Sequence, residues 1–336
     1  MGVLFYVSHL SEVVGVRLAD GREVVVKRRV DESGRARRCV AAQRLLAEQG
    51  FPCPMPLTGV IVSGGLAVHA ERFVPGGELA TKDTPEAAAR SGRLLADLVR
   101  RLAALDLDPP LPNPEWVRWD AMPERQSCAA VPAWIDDTIR RVQAKLAGCD
   151  LPHVFGHADW EAQNVRWRHG EAYAVHDWDS LAWLPEAAIA GSAAGIFASH
   201  GGTALASLES SEAFVDAYES GRGAHFSLYE TEIAWAASIW EALHNARDQL
   251  SYNRPRLSYE QLKTQRVERL ARAAHAAGRI YPAVPGCCSE FLAPAVAARR
   301  IERRAPGDPF APILRGLPSN RGALSISLTV TPPSRR

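Results

Sequence analysis

The sequence predicts an α+β protein of two lobes, with a small β-rich lobe over residues 1–75 and a larger helical lobe over residues 76–284. Three observations support this prediction. The chain first follows a β-β-α-β-β pattern, it then carries apolar residues at helical spacing, and the turn residues Pro75-Gly76-Gly77 separate the two patterns. A last segment, residues 285–336, is rich in Arg, Pro, Gly and Ser and has few periodic apolar positions, which predicts a loosely ordered tail.

Composition narrows the classes of partner. The 336 residues are 47% hydrophobic and 23% charged, which is typical of a globular protein with a large core. A formal net charge of +1 gives no reason to expect nucleic acid or an anionic membrane as a partner. The absence of a long apolar run, of a signal peptide and of C-x-x-C pairs among the six cysteines predicts a cytoplasmic protein with reduced thiols. The sequence does not predict the oligomeric state.

The small lobe begins with a predicted β-hairpin. Asp20-Gly21 is a turn signal between β-branched strands near residues 12–18 and 23–28. A helix follows, and Gly50 is suited to end it. The face of this helix that we expect to pack against the sheet carries Cys39, Ala42, Gln43 and Leu46. Further strand-like sequence completes the lobe.

Helical periodicity dominates the large lobe. The predicted helices span about 84–105, 132–146, 185–199, 209–220, 229–250 and 259–278. Residues 108–131, rich in Pro and Trp, predict an irregular connection. Short apolar runs at Val154-Phe155 and 172–176 suit a small strand pair within the helical lobe.

Two short stretches carry a chemical signature, "GHADWEAQN" from Gly156 and "VHDWDS" from Val175. Phosphoryl transfer from ATP to a hydroxyl needs a carboxylate for the hydroxyl proton and oxygen ligands for Mg²⁺. The kinase order H-x-D-x-x-x-x-N fits His157, Asp159 and Asn164. A second carboxylate, Asp177, follows what reads as a hairpin with its turn at His169-Gly170.

Other interpretations of these residues remain open at this point. Asp and Asn often serve only to cap turns and helix starts. A dinuclear metal hydrolase would use the acids and imidazoles that crowd here, which are His153, His157, Asp159, His169, His176, Asp177 and Asp179. No second helical H-x-x-x-H cluster supplies further ligands, and nothing suggests the barrel of a paired-carboxylate glycosidase.

The two stretches together resemble the signature of the aminoglycoside phosphotransferase family, H-G-D-x-x-x-x-N followed by D-W/F-D/E. The resemblance covers residues 8–280 and implies the protein-kinase-like two-lobed fold. It also implies an ATP- and Mg²⁺-dependent enzyme that phosphorylates a hydroxyl of a small molecule. The acceptor would be an antibiotic such as an aminoglycoside, or an amino alcohol or sugar metabolite. A catalytically weak or inactive protein that binds nucleotide or another ligand is the alternative of the same fold.

The resemblance implies roles for individual residues. Asp159 is expected to be the catalytic base, Asn164 and Asp177 to bind Mg²⁺, and His157 to fix the catalytic loop by hydrogen bonds. Ala158 stands where the family usually has Gly, a change that we expect to be tolerated.

Nucleotide binding is assigned to the small lobe in the same way. Lys27 matches the strand lysine that contacts the α- and β-phosphates, and Glu71-Arg72-Phe73 matches the hinge whose backbone would bind adenine. No G-x-G-x-x-G loop is present and the first strand is expected to be short, so Ser8, His9 and Ser11 are the expected phosphate donors.

The helix of the small lobe lacks the carboxylate that kinases usually pair with this lysine. Gln43 is the strongly polar member of its buried face, and a buried amide needs a partner. We therefore expect Gln43 to occupy the position of the missing Glu and to accept a hydrogen bond from Lys27.

The acceptor is expected to bind on the large lobe, against an aromatic and acidic wall. The residues assigned to this wall are Trp160, Glu161, Asp179, Trp235, Trp240, Glu241 and Asp248. Such a wall favours a cationic acceptor through charge complementarity and cation–π contacts.

Overall fold

The computed structural model describes residues 2–117, 128–200 and 204–274. These residues form an antiparallel sheet at the N-terminal end and a helical C-terminal part, which confirms the predicted α+β class. The predicted tail and the end of the last predicted helix lie outside the described residues.

The small lobe contains a five-stranded antiparallel sheet. Its strands, in spatial order, are β1 (Gly2–Ser8), β2 (Glu12–Arg17), β3 (Glu23–Val30), β5 (Leu66–Arg72) and β4 (Ile61–Ser63). The predicted hairpin turns at Gly21, whose φ of +85° suits glycine. Strand β1 precedes the predicted pattern, and its seven residues correct the expectation of a short first strand. The Phe5 ring of β1 covers Gly15 of β2, where a Cβ atom would lie 2.3 Å from the ring.

Helix α1 (Ala36–Glu48) packs differently from the prediction. Its apolar stripe of Cys39, Ala42 and Leu46 belongs to the large-lobe core, whereas the sheet keeps a separate small cluster around Val14 and Val16. The segment after α1 also packs on that lobe, where the Phe51 ring meets Trp178 edge-on at 6.1 Å. The core therefore continues across the lobe boundary proposed at residues 75 and 76.

The large lobe is built from seven further helices within the described residues. They are α2 (Pro85–Ala103), α3 (Ala133–Ala147), α4 (Glu186–Ile196), α5 (Leu208–Arg222), α6 (Leu228–Ala237), α7 (Trp240–Ser251) and α8 (Leu257–Arg272). The single helix predicted over 229–250 is wrong, because the chain leaves the helix at Ser238 and Ile239. Periodicity continues through this break, so the sequence gives no sign of it. There, buried Arg269 of α8 donates to Ser238 Oγ at 2.8 Å.

Two small sheets position the motifs. Strands β6 (Glu78–Leu79), β8 (Val165–Arg168) and β9 (Glu171–Val175) form one sheet, while β7 (His153–His157) pairs with β10 (Leu181–Pro185). The β8–β9 hairpin has its turn at His169 and Gly170 as predicted, both with positive φ. The predicted pairing of Val154-Phe155 with 172–176 is wrong, because β10 takes that place.

Two expectations about the whole chain can be compared with the structure. Within the described ranges, no helix combines the length and the apolar character needed to cross a bilayer. The cysteines described there, Cys39, Cys53, Cys128 and Cys149, are free thiols.

Candidate active site

His157 ties the two motifs together. It ends strand β7, and its Nδ1 accepts from the backbone N–H of Asp159 at 3.3 Å. Its Nε2 lies 2.9 Å from the carbonyl oxygen of His176. An imidazole that accepts at Nδ1 carries its proton on Nε2, which therefore donates to that carbonyl. Burial lowers the pKa of His157, so the ring is neutral and fixes the loop.

Asp159 and Asn164 form the centre of the loop between β7 and β8. The amide Nδ2 of Asn164 donates to both the carbonyl oxygen and the carboxylate Oδ2 of Asp159, each at 2.9 Å. Burial raises the pKa of Asp159 well above its usual value, and the charges of Glu161 and Asp177 raise it further. The site thus concentrates negative charge around one carboxyl group.

Asp177 enters the same site from the end of β9. Val165 pairs with Val175, and the His176 N–H donates to the Asn164 carbonyl at 2.8 Å, so the second carboxylate follows directly beside the loop. Its backbone is left-handed, with a φ of +58°, a conformation that Asp tolerates better than most residues. Ser180 Oγ donates to its Oδ2 at 3.1 Å.

The oxygen donors of this loop suit a hard divalent cation. Among the described residues, Oδ1 of Asn164 and Oδ1 of Asp177 have no protein hydrogen-bond partner. Amide and carboxylate oxygens are the protein ligands that Mg²⁺ accepts. Within the described ranges no group of three His, Cys, Asp or Glu side chains could hold a metal ion, so this candidate site includes an amide.

Lys27 pairs with a carboxylate that the sequence analysis had not assigned to it. Its Nζ lies 3.1 Å from Glu71 Oε1, and both side chains are buried. Gln43 Nε2 donates to Glu71 Oε2 at 2.9 Å and to the Pro54 carbonyl at 2.7 Å. Gln43 is therefore at the predicted place, but it donates to Glu71 instead of accepting from Lys27.

The register of the sheet explains this arrangement. Lys27 on β3 is opposite His69 on β5, and residues two apart in a strand share a face, so Glu71 points to the same side as His69. Burial by itself raises the pKa of Glu71, but Lys27, His69 and Gln43 together lower it to about 2. Glu71 was predicted to contribute only its backbone to the hinge, so the contacts of its side chain differ from the prediction.

Two further segments were predicted from the sequence to bind the nucleotide, the hinge after β5 and the turn between β1 and β2. The N–H of Arg72 donates to Met55 O at 2.8 Å and that of Phe73 to Glu23 O at 3.3 Å, since β5 continues into this segment. These two amides are thus already bonded within the protein. Ser8, His9 and Ser11 form an exposed or half-exposed turn, at the end of the sheet where Lys27 lies.

The predicted acceptor wall is not continuous. Trp160 is 1% exposed and donates from Nε1 to Ser91 Oγ at 2.9 Å, so it belongs to the core. Trp240 is also buried, with 2% exposed. The Trp235 ring is covered by Arg272 at 4.6 Å, and Asp179 forms an ion pair with Arg29 of β3. Core packing and an ion pair between the lobes therefore account for these residues.

Two acids of the predicted wall, Glu161 and Glu241, do lie close enough to Asp159 for their charges to interact. Glu161 adds to the charge there and accepts from Gln163 Nε2 at 2.6 Å. Glu241 on α7 accepts from Ser192 Oγ, and its buried Oε2 has no hydrogen-bond partner among the described residues. Burial raises the pKa of Glu241 to about 7, and the charge of Asp159 contributes. Asp248 lies two turns further along α7.

Arg35 is a second feature that sequence reasoning missed. Its guanidinium donates to the carbonyl oxygens of Asp179 and Leu181, directly after the Asp177 segment, and its Nε donates to Pro112 O at 2.9 Å. Its position just before α1 resembles an ordinary exposed charge, so no local pattern could have identified it.

The fold places this protein in the kinase-like class, and comparison with known proteins identifies its family. The family model of the phosphotransferase enzyme family, APH, matches residues 9–225, and the chain belongs to this family. It is accordingly a phosphotransferase enzyme. A comparison with curated proteins gives no match.

Solved structures show the same fold at low sequence identity. The amicoumacin kinase hAmiN, in complex with AMP-PNP, Ca²⁺ and Ami, is 12% identical with a TM-score of 0.56. That similarity covers 81% of this chain and 87% of the kinase. A choline/ethanolamine kinase family protein from Mesorhizobium loti is 17% identical with a TM-score of 0.52, covering 81% of this chain and 92% of its own.

Proposed function

We propose that this protein is an ATP- and Mg²⁺-dependent phosphotransferase that phosphorylates a hydroxyl group of a small molecule. The observation that carries the proposal is the Asp159 carboxylate, held by the Asn164 amide at 2.9 Å next to Asp177. This is the set of groups that transfer to an alcohol requires, one for the proton and two for the metal.

Each group has a defined task in this proposal. Asp159 accepts the hydroxyl proton as the general base. Asn164 and Asp177 hold Mg²⁺, which when bound neutralises charge on the phosphates. Lys27 binds the phosphates from the small lobe, and His157 keeps the loop in place. Ser8 and Ser11 contribute donors at the open end of the sheet.

A cationic acceptor fits the charge of the site best. Asp159, Glu161 and Glu241 bring three carboxyl groups together whose ionised forms repel one another, and Glu241 Oε2 has no hydrogen-bond partner in the described structure. An amine on the acceptor would offset this charge. The two structural neighbours named above also support an antibiotic or amino-alcohol acceptor. One is a kinase solved with Ami, and the other belongs to a choline/ethanolamine kinase family. Antibiotics and amino alcohols are therefore the proposed classes, ahead of neutral sugars.

The cellular setting is proposed from composition. We infer a cytoplasmic enzyme that acts on free small molecules, since the formal net charge of +1 offers no attraction to nucleic acid or anionic lipid.

An ATP-consumption screen tests the proposal. The purified protein is offered cationic antibiotics, amino alcohols and sugars, each with Mg²⁺, and product is confirmed by a mass gain of one phosphoryl group. Asp159→Asn is the inactive variant, and Asp137→Asn, an exposed acid on α3 paired with Arg140, is the matched control. Turnover of one class by wild type and Asp137→Asn, but not by Asp159→Asn, supports the proposal. Nucleotide binding without turnover of any acceptor supports instead a binding protein of this fold.

A further inference from the structure

Lys27, Glu71 and Gln43 form a buried polar cluster in the small lobe. Lys27 is 8% exposed, Glu71 2% and Gln43 not at all. A buried charge is stable only when it is paired and hydrogen-bonded. Here the ammonium meets one carboxylate oxygen at 3.1 Å, and the amide meets the other at 2.9 Å.

Among the described residues, no other acid on the helix side is placed to pair with Lys27. Glu32 and Glu48 are exposed, and Asp31 accepts from the Ala36 N–H at the start of α1. His69 lies 3.8 Å from Glu71, but burial lowers the pKa of its ring. The charge that balances Glu71 therefore comes from Lys27.

Two hydrogen bonds from Nε2 hold the amide group of Gln43. Its Nε2 donates to the Pro54 carbonyl as well as to Glu71, which requires both hydrogens of the amide and so determines which way the group is oriented. An amide held in this way supplies a directed hydrogen bond to Glu71 without adding a charge.

We propose that Glu71 is the positioning residue that aims Lys27 at the nucleotide phosphates, and that Gln43 orients Glu71. The usual arrangement, in which the helix supplies the carboxylate, is thus exchanged: the carboxylate comes from strand β5 and the helix supplies an amide. Lys27 and its partner consequently lie in one sheet, on two hydrogen-bonded strands. The inference rests on the proposed function, because it assumes that Lys27 binds a nucleotide.

A double-mutant cycle tests it, with two readouts. Lys27→Met, Glu71→Gln and the double variant are compared by titration with a non-hydrolysable ATP analogue and Mg²⁺, and by thermal unfolding without ligand. Glu48→Gln, an exposed acid on α1, is the matched control.

Analogue affinity and unfolding temperature are expected to respond differently to the double substitution. Each single variant should bind the analogue about tenfold more weakly or worse, the scale of one hydrogen bond between charged groups. Each should also unfold at a lower temperature, because it leaves one buried charge unpaired. The double variant should regain unfolding temperature, since no lone charge remains, but should bind no better than Lys27→Met. If the pair had only a structural role, the double variant would regain both the unfolding temperature and the affinity for the analogue.

Gln43→Leu gives a further test if Glu71→Gln does not fold. It keeps the ion pair and should weaken analogue binding relative to wild type, but less than Lys27→Met does. Equal affinity of wild type, Glu71→Gln and Gln43→Leu for the ATP analogue would overturn the inference. A further loss of this affinity when Glu71→Gln is added to Lys27→Met would also overturn it. A wild-type protein that binds no ATP analogue would overturn the proposed function itself and this inference with it.

Discussion

Glu71 of the small lobe is buried and Glu241 of the large lobe is half-buried with a buried Oε2, and the pKa values of the two carboxyl groups move in opposite directions. Lys27, with help from His69 and Gln43, lowers the pKa of Glu71 to about 2. The pKa of Glu241 rises to about 7, because burial outweighs one hydrogen bond from Ser192. The small-lobe cluster thus balances its own charge, whereas the large-lobe site keeps an excess of negative charge that a metal ion or a cationic acceptor would offset.

The largest expected effect concerns Asp159, the proposed base. Asp159→Asn should lower turnover by roughly 100- to 10,000-fold, the scale of general-base catalysis. The same change should not lower the unfolding temperature of the metal- and nucleotide-free protein at pH 7, because it removes a carboxylate whose ionisation burial disfavours. Steady-state kinetics and thermal unfolding of one preparation measure both. A variant with wild-type turnover would remove Asp159 from the mechanism.

The next effect concerns the metal. Asp177→Ala should weaken the dependence of ATP binding on Mg²⁺ more than Asn164→Ala does, because it removes a formal charge from the ion's surroundings. Calorimetric titrations of ATP with and without Mg²⁺ measure this dependence.

Backbone strain needs a control in that experiment, since Asp177 is left-handed with a φ of +58° and alanine is disfavoured there. Asp177→Asn keeps a residue that tolerates this conformation and an acceptor for Ser180. It should reproduce the metal defect with a smaller loss of stability. An unchanged Mg²⁺ dependence in both variants would place the metal elsewhere.

The pH dependence of stability tests the comparison directly. A raised pKa in the folded state means that the folded protein holds the proton more tightly, so the stability linked to Glu241 falls as the pH rises from about 4.5 through about 7. Glu241→Gln should therefore gain on the order of 1–3 kcal/mol at pH 8 relative to wild type, and little at pH 4.5. Denaturant unfolding at the two pH values measures the difference.

The linkage of Glu71 has the opposite sign. Its pKa is lowered, so its contribution to stability is present above pH 4.5, about its ordinary pKa, and is lost as the pH falls towards about 2.

Equal gains in stability for Glu241→Gln at both pH values would show that Glu241 does not titrate as described.

The smallest effect concerns Trp160. Trp160→Phe removes the hydrogen bond to Ser91 and should cost about 1–2 kcal/mol of unfolding free energy. The acceptor KM should stay unchanged, because the ring lies in the core. A raised KM with unchanged stability would restore Trp160 to the acceptor site.

Local spacing predicted which residues lie together in the loop between β7 and β8, but not the partners of Lys27. His157, Asp159 and Asn164 are close in sequence and are fixed largely by backbone atoms of the same segment, so their order was informative. Glu71 reaches Lys27 through strand pairing, which depends on a register that a single sequence does not reveal. The break between α6 and α7 and the reach of Arg35 across the lobes were missed for the same reason, since both depend on contacts between distant segments.

The continuous core around α1 has a mechanical consequence. The helix is anchored to the large lobe by Cys39, Ala42 and Leu46, while the sheet is joined to it by the hydrogen bond between Gln43 and Glu71. The helix therefore belongs to the large-lobe core, and the Gln43–Glu71 hydrogen bond together with the Arg29–Asp179 ion pair holds the sheet against it. Any movement of the sheet relative to α1 would have to break the Gln43 contact and would carry Lys27 along with its carboxylate. Lys27 and Glu71, and with them the proposed contact to the phosphates, would then move together with the sheet.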